Sequence, residues 1–304
     1  MKKKILIVGG TGFIGYHLGC KLLKKNWNVF SISTKKPKKI RYNKKFKYLF
    51  CNIANKKKLY NILDDIKFDY VVNCGGYVDH KNKKKTFDSH FLGCKNLADY
   101  FLSKDLKSFI QIGSSIENGF QKSPQKEKLI KDVTKIKSIY GLSKLKATNY
   151  LIKLYKKKGL PVTILRLYLA YGKKQDVNRF LPITINSCLK NIDFDCSSGL
   201  QKRDFIYVDD VVEAIYRSML HKKSKGEVFN LGSGKPLKIK DIIEMVRKKV
   251  SGGNPQYGKI KFRKDEIKYL FPSIKNITKK INWRPKVSFN DGLKKTIEYY
   301  SDKN

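Results

Sequence analysis

The sequence predicts an α/β fold: a doubly wound parallel sheet with helices on both faces, and a smaller α/β unit toward the C-terminus. Three observations predict it. Short β-branched runs alternate with helical patterns through the first half of the chain, as parallel strands joined by crossover helices do. A glycine-rich turn, ILIVGGTGFIGYHL, stands at the first strand–helix junction. The 304 residues, 41% of them hydrophobic, suffice for one large domain or two interleaved ones.

Strands are predicted at 4–8, 28–32, 48–51, 70–73, 109–112 and 162–167, each a short apolar run. Helices are predicted between them at 15–25, 57–65, 86–104 and 139–157. The strand at 162 follows Gly159-Leu160-Pro161, a stop and restart signal. Beyond Gly172 the pattern loosens. Helices are expected near 180–189, from Val208, over 239–250 and after Asn290. A strand is expected at 228–231, ending in Gly232-Ser233-Gly234, with loops at 197–199 and 252–258. The expected division is 1–172 plus 203–232 for the first domain and 173–202 plus 233–304 for the second.

Composition excludes several classes. No apolar run approaches the roughly 20 residues of a membrane helix, and the apolar stretch 5–8 is too short for a signal peptide. A cytoplasmic protein is expected. Six Cys occur singly, without a C-x-x-C pair, and the four His show no metal-ligand spacing. Reduced thiols and no metal site are therefore expected. The net charge of +42 invites a nucleic-acid role. The charge is nearly all Lys, however, spread in short runs without a stripe, so a solvated surface is expected instead. It still draws anionic substrates toward a cleft.

The glycine turn carries the first chemistry. Gly9, Gly12 and Gly15 follow G-x-x-G-x-x-G, with Phe13 and Ile14 between the last two. Gly9 permits the tight turn, Gly12 lets a pyrophosphate approach the backbone, and Gly15 lets helix lie on strand. The N–H groups of the helix start then face the anion. Where a ribose 2′-hydroxyl is bound, the second strand usually ends in an acid. Here Ser33, Thr34, Lys35 and Lys36 stand there. Hydroxyls and cations suit a 2′-phosphate, so NADP is the expected cofactor and NAD the alternative.

In SIYGLSK, Tyr140 and Lys144 are four residues apart in a helical pattern, on one face and one turn apart. A phenol is a poor base at neutral pH. A neighbouring ammonium favours phenolate, and the pair can exchange a proton with a substrate hydroxyl or ketone.

The glycine turn, the Ser cluster in IGSSIENG (112–119) and Tyr140-x-x-x-Lys144 come in the order found in extended short-chain dehydrogenases/reductases. The chain resembles the NAD-dependent epimerase/dehydratase group that acts on nucleotide sugars. LRLYLAYG (165–172), RDFIYVDDV (203–211), FNLGSGKP (229–236) and INWRPKVSFNDGL (281–293) extend the resemblance over nearly the whole chain. It implies a Rossmann-type dinucleotide domain, a nucleotide-sugar-binding domain, an active site between them and a homodimer.

Carried over residue by residue, the resemblance makes Ser114 the hydroxyl that hydrogen-bonds the reacting oxygen. Tyr140 becomes the proton donor or acceptor, and Lys144 the residue that binds the nicotinamide ribose. Asn52 and Ile53 match the adenine position, and Cys74, Gly75 and Gly76 the small-residue turn beside the cofactor. Asn178, Arg179 and Arg203 match the diphosphate positions, with Ser115 lining the pocket. An ion pair of Arg203 with Asp209 or Asp210 is the structural alternative. Three positions depart from the pattern: Leu169 and His90 replace common Asn residues, and Asn118 replaces a Tyr.

Dehydratase relatives place an Asp-Glu pair directly after the hydroxyl; here those positions are Ser115 and Ile116. The expected reaction is therefore reduction of a nucleotide-linked 4-keto-6-deoxy sugar, with 4-epimerisation the alternative. A dehydratase or a non-catalytic RNA-binding relative ranks below both. Glu117, three residues past Ser114, is expected at the cleft rim.

Overall fold

The computed structural model describes residues 2–77, 79, 81–130, 136–261 and 267–302. The chain opens with β1 (Lys4–Val8), α1 (Phe13–Lys24), β2 (Asn28–Ser33), β3 (Lys47–Phe50), α2 (Lys56–Leu63) and β4 (Tyr70–Asn73). Helix α3 (Lys83–Phe87) runs through a π-helical segment, Asp88–Leu92, into α4 (Gly93–Phe101). Next come β5 (Ser108–Ser114), a 3-10 turn at Ser115–Asn118, α5 (Ile139–Lys158), β6 (Val162–Leu167) and β7 (Leu169–Tyr171). The remainder is α6 (Phe180–Leu189), β8 (Asp193–Asp195), β9 (Lys202–Tyr207), α7 (Val208–Leu220), β10 (Val228–Leu231) and β11 (Pro236–Lys238). It closes with α8 (Ile239–Val250), β12 (Asn254–Gln256), β13 (Tyr269–Leu270), α9 (Lys275–Ile281) and α10 (Phe289–Ser301).

Seven strands form the central sheet in the order β10-β6-β5-β4-β1-β2-β3, and every pairing in it is parallel. The predicted Rossmann-type fold is thus present. Alternation along β1 shows why the run is apolar throughout. Ile5 and Ile7 enter the core on one face, and Leu6 and Val8 the core on the other, as a doubly covered parallel sheet requires. The chain steps outward from β1 to β3 and then crosses back to β4. This leaves a crevice at the carboxyl ends of β1 and β4, where ligands bind in such sheets.

Helix α5 has a clear start and stop. The Ser138 side chain accepts from Gly141 N–H at 3.1 Å, Gly159 ends the helix in the left-handed region, and Lys156–Lys158 occupy the last turn. Each feature satisfies or complements a helix end. The single helix expected over 86–104 begins three residues earlier, ends at Phe101 and contains the π segment. Such insertions mark places where one residue is squeezed into a helix, commonly at functional sites.

A second sheet has β9 at its centre, antiparallel to β11 and parallel to β13 and β7. Sequence pattern missed β9 because Lys202, Arg203 and Asp204 break its apolar alternation. The expected loop at 252–258 contains β12, which pairs with β8. Two carboxylates fasten these parts. Asp204 accepts from Ser233 N–H at 2.6 Å and Ser233 Oγ at 3.0 Å. Asp210, on α7, accepts from Lys286 N–H and Val287 N–H, both at 2.9 Å.

Burial pushes the Asp204 carboxyl up to about 6, against opposition from the Ser233, Gly234 and Lys235 amides. The folded chain therefore holds this proton more tightly than the unfolded chain does. The associated stability is present at low pH and is lost as pH rises through about 4 to 6. Asp204→Asn keeps an acceptor for Ser233 N–H. In urea titrations, wild type should lose on the order of 3 kcal/mol relative to this variant across that window.

Candidate active site

The glycine turn is built on backbone contacts. Gly9 has a φ of 75° and donates its N–H to Ile32 O at 2.8 Å, while Gly12 donates to Gly9 O at 2.9 Å. A Cβ at Gly15 would collide with the Gly9 carbonyl oxygen, and one at Gly9 would lie 2.9 Å from Gly75 Cα. The ends of β1 and β4 thus meet backbone to backbone, as the small-residue turn at 74–76 implies. Gly12 is the N-cap of α1; no side chain caps this helix, and its first turn carries no acid. The N–H groups of Phe13 and Ile14 begin a helix end open to an anion. This cradle fits a dinucleotide pyrophosphate. Burial pushes the Cys74 thiol up to about 12, opposed by the Lys144 ammonium, so the thiol stays neutral at physiological pH.

At the end of β2, Ser33 Oγ donates to Lys35 O at 2.9 Å, which folds the turn back on itself. Thr34, Lys35 and Lys36 are exposed. After β3, Asn52 is exposed and Ile53 buried, with Asn52 Oδ1 accepting from Ala54 N–H at 3.1 Å.

The Ser–Tyr–Lys set gathers around the end of β5. Ser114 ends the strand and caps the following 3-10 turn, its Oγ accepting from Ile116 N–H. Ser115 is half-buried. That turn packs against the start of α5: a Cβ at Gly141 would lie 3.3 Å from Ile116 Cγ1. Tyr140 is half-buried beside it. Lys144 is buried, donates Nζ to Ile112 O at 2.7 Å, and stands 6.0 Å from the Tyr140 ring centroid. His90, from the π segment, lays its ring edge-on to Tyr140 at 4.9 Å and bonds Tyr77 O through Nε2 at 3.1 Å. The His90 ring fills the space that a side chain at Gly76 would need.

Glu117 does not lie at the cleft rim. It is 0% exposed and forms an ion pair with Arg166, also 0% exposed, at 3.2 Å. Its Oε1 accepts from Ser114 N–H and its Oε2 from Thr148 Oγ1, both at 2.7 Å. Arg166 also donates to Asn118 Oδ1 at 2.7 Å and Lys128 O at 2.9 Å. Asn118, which replaces a Tyr of the family pattern, donates to Tyr168 OH at 3.1 Å and Asn230 Oδ1 at 3.0 Å. Removing one partner of such a pair strands a buried charge, at about 3–5 kcal/mol.

The expected diphosphate residues come from the stretch before α6 and from β9. Asn178 and Arg179 are exposed just before α6. Arg203 is buried on β9 and donates to Lys202 O at 2.9 Å. Phe180 and Phe205 rings meet at 5.8 Å. Phe205 lies two residues beyond Arg203, so the start of α6 packs on the face of β9 that carries Arg203.

Sequence reasoning missed a tie between residues 173–176, which precede Asn178 and Arg179, and the glycine-turn helix. His17 Nε2 bonds Lys173 O at 2.8 Å, and Lys174 Nζ donates to Tyr16 OH at 2.7 Å, both from α1. Arg41, 4% exposed, donates to Lys174 O at 3.0 Å and pairs with Asp176 at 3.0 Å. One signal was available. In a chain whose cations are mostly Lys, the Arg residues at 41, 166 and 203 are all buried, as suits a planar multi-donor cation.

All six cysteines are free. Among the described residues no helix is long and apolar enough to cross a membrane, and no cluster of three or more His, Cys, Asp or Glu could hold a metal.

Fold and site together define a dinucleotide-binding enzyme of the extended short-chain dehydrogenase/reductase type. The chain belongs to the NAD dependent epimerase/dehydratase family, whose model matches residues 5–232. It is 27% identical to a putative UDP-glucose 4-epimerase of Methanocaldococcus jannaschii, over 99% of each chain. It is 26% identical to a UDP-N-acetyl-alpha-D-glucosaminuronate decarboxylase of Bacillus cytotoxicus, again over 99% of each. The structure of UDP-glucuronic acid 4-epimerase from Bacillus cereus, in complex with UDP-glucuronic acid and NAD, superposes with a TM-score of 0.88 at 26% identity. That match covers 99% of this chain and 100% of the other. Relatives of nearly equal similarity thus carry different reaction names.

Gly15→Ala should abolish cofactor binding, measured by NAD(P)H fluorescence titration, and lower the melting temperature, because the added methyl meets rigid backbone rather than a movable side chain.

Proposed function

We propose that this enzyme acts on a nucleotide-diphosphate sugar and reduces a 4-keto-6-deoxy-hexose to its 4-hydroxy form, using NADPH. One observation carries the reading. Ser114, Tyr140 and Lys144 gather at the end of β5, while the two positions after the hydroxyl are Ser115 and Ile116, neither an acid nor a base suited to eliminating water. The exposed Lys35 and Lys36 after β2, with no carboxylate beside them, support NADP over NAD.

In this reading Tyr140 gives its phenolic proton to the C4 oxygen as negative charge develops there. Ser114 hydrogen-bonds the same oxygen and stabilises that charge. Lys144, anchored by Ile112 O, binds the nicotinamide ribose and presents a fixed cation beside the phenol. Bound NADPH supplies the hydride that C4 receives. Arg203, Asn178 and Arg179 hold the diphosphate, and Ser115 lines the sugar pocket.

A second reading, 4-epimerisation with NAD, draws support from relatives named UDP-glucose 4-epimerase and UDP-glucuronic acid 4-epimerase. It uses the same three residues, with Tyr140 first accepting and then returning the proton.

Incubation with NADPH and dTDP-, GDP- or CDP-linked 4-keto-6-deoxy-hexoses, followed by cofactor absorbance, separates the two. The proposal expects consumption with one of these sugars and tighter binding of NADP than of NAD. It expects losses of about 10²–10⁴-fold in Tyr140→Phe and about 10²-fold in Ser114→Ala. Interconversion of UDP-glucose and UDP-galactose without added cofactor, and no NADPH consumption, would reject the reductase.

A further inference from the structure

Glu117 lies three residues past the hydroxyl proposed to act on substrate, yet no part of it is exposed. Its carboxylate is the meeting point of three elements. Oε1 takes the N–H of Ser114, where β5 ends, at 2.7 Å. Oε2 takes Thr148 Oγ1, on α5, at 2.7 Å, and Arg166 Nε, on β6, at 3.2 Å. Thr148 stands one turn beyond Lys144 and two beyond Tyr140 on the same helix face.

We propose that Glu117 is a positioning residue that sets the separation between the Ser114 hydroxyl and the Tyr140 phenol; this rests on the roles given to those two groups above. The carboxylate bridges the strand end that carries one group and the helix that carries the other. Both bridging bonds are charge-assisted, and so short and strong. Burial keeps water from replacing either. Gly113 lets the carboxylate press against the strand, since a Cβ there would lie 2.5 Å from Oε1. Arg166 neutralises the charge through Oε2, which leaves Oε1 to Ser114 N–H. A second link, from Lys144 Nζ to Ile112 O, joins the same strand and helix two residues earlier on β5. With both links present, the helix can neither slide along nor roll against the strand end. Proton transfer and oxyanion stabilisation must converge on one oxygen, and a misplacement of about 1 Å can cost about 10²-fold in rate.

The test uses Thr148→Val and Glu117→Gln. The first removes one hydroxyl at constant shape and touches neither Ser114 nor substrate, so it serves even if the second fails to fold. Hydrogen exchange is followed by mass spectrometry over 113–118 and 139–148. Thr148→Val should speed exchange in both segments by about tenfold, although the change lies on α5 alone. Turnover should fall at least about tenfold, while KM for the sugar and affinity for cofactor stay within about twofold. Acceleration confined to α5, or an unchanged kcat in an active enzyme, would overturn the proposal. The exchange readout needs no substrate. A wild type inactive on every sugar, with exchange accelerated in both segments by Thr148→Val, would reject the reaction and keep the bridge. An active wild type whose variants exchange normally would do the reverse.

Discussion

A fully buried carboxylate and a fully buried guanidinium, Glu117 and Arg166, hold together the part of this molecule where chemistry is expected. Burying two charges is costly, and further hydrogen bonds from each partner offset part of that cost. Here they reach into four segments. Glu117 binds the end of β5 and the middle of α5, and Arg166 on β6 binds Asn118 and the carbonyl of Lys128. Asn118 then passes the connection to Tyr168 and Asn230. A polar cluster of this kind has low tolerance for rearrangement, because any shift leaves a buried group without its partner. The surface above it, where Ser114 and Tyr140 stand, inherits that rigidity.

The cofactor side relies on contact between backbones rather than on charge. Gly9, Gly15 and Gly75 bring β1, α1 and β4 close enough that side chains would collide. From this platform α1 reaches across to the other wall through Tyr16 and His17, and Arg41 does so from the loop after β2. The segment they hold, residues 173–176, leads directly into Asn178 and Arg179. A helix whose N-terminus suits a pyrophosphate is thereby fastened to the stretch expected to meet the sugar's diphosphate. These short polar links join the two sides in addition to the apolar core that runs from α1 to α6.

Much of this was legible in the sequence. The strands of the central sheet could be read because residues such as Ile5–Val8 are apolar on both faces, and the glycine turn because its backbone demands exclude other residues. Tyr140 and Lys144 could be read because four-residue spacing in a helix is a local property. What escaped was non-local. Strand β9 was hidden by Lys202, Arg203 and Asp204, whose partners lie on other strands and turns. Glu117 was placed at the rim because nothing near it in sequence reveals Arg166, 49 residues away. The ties from His17 and Arg41 span more than 130 residues, beyond the reach of any local pattern.

Family membership leaves the reaction open, since relatives of similar identity include both an epimerase and a decarboxylase. What distinguishes the possibilities is the fate of one hydrogen. The most direct measurement supplies NADPH carrying deuterium at the transferable position of its nicotinamide, together with a nucleotide-linked 4-keto-6-deoxy-hexose, and locates the label in the product. Net reduction predicts one deuterium on sugar C4 per cofactor oxidised. A product whose C4 hydrogen is unlabelled, formed without oxidation of the added cofactor, would contradict it.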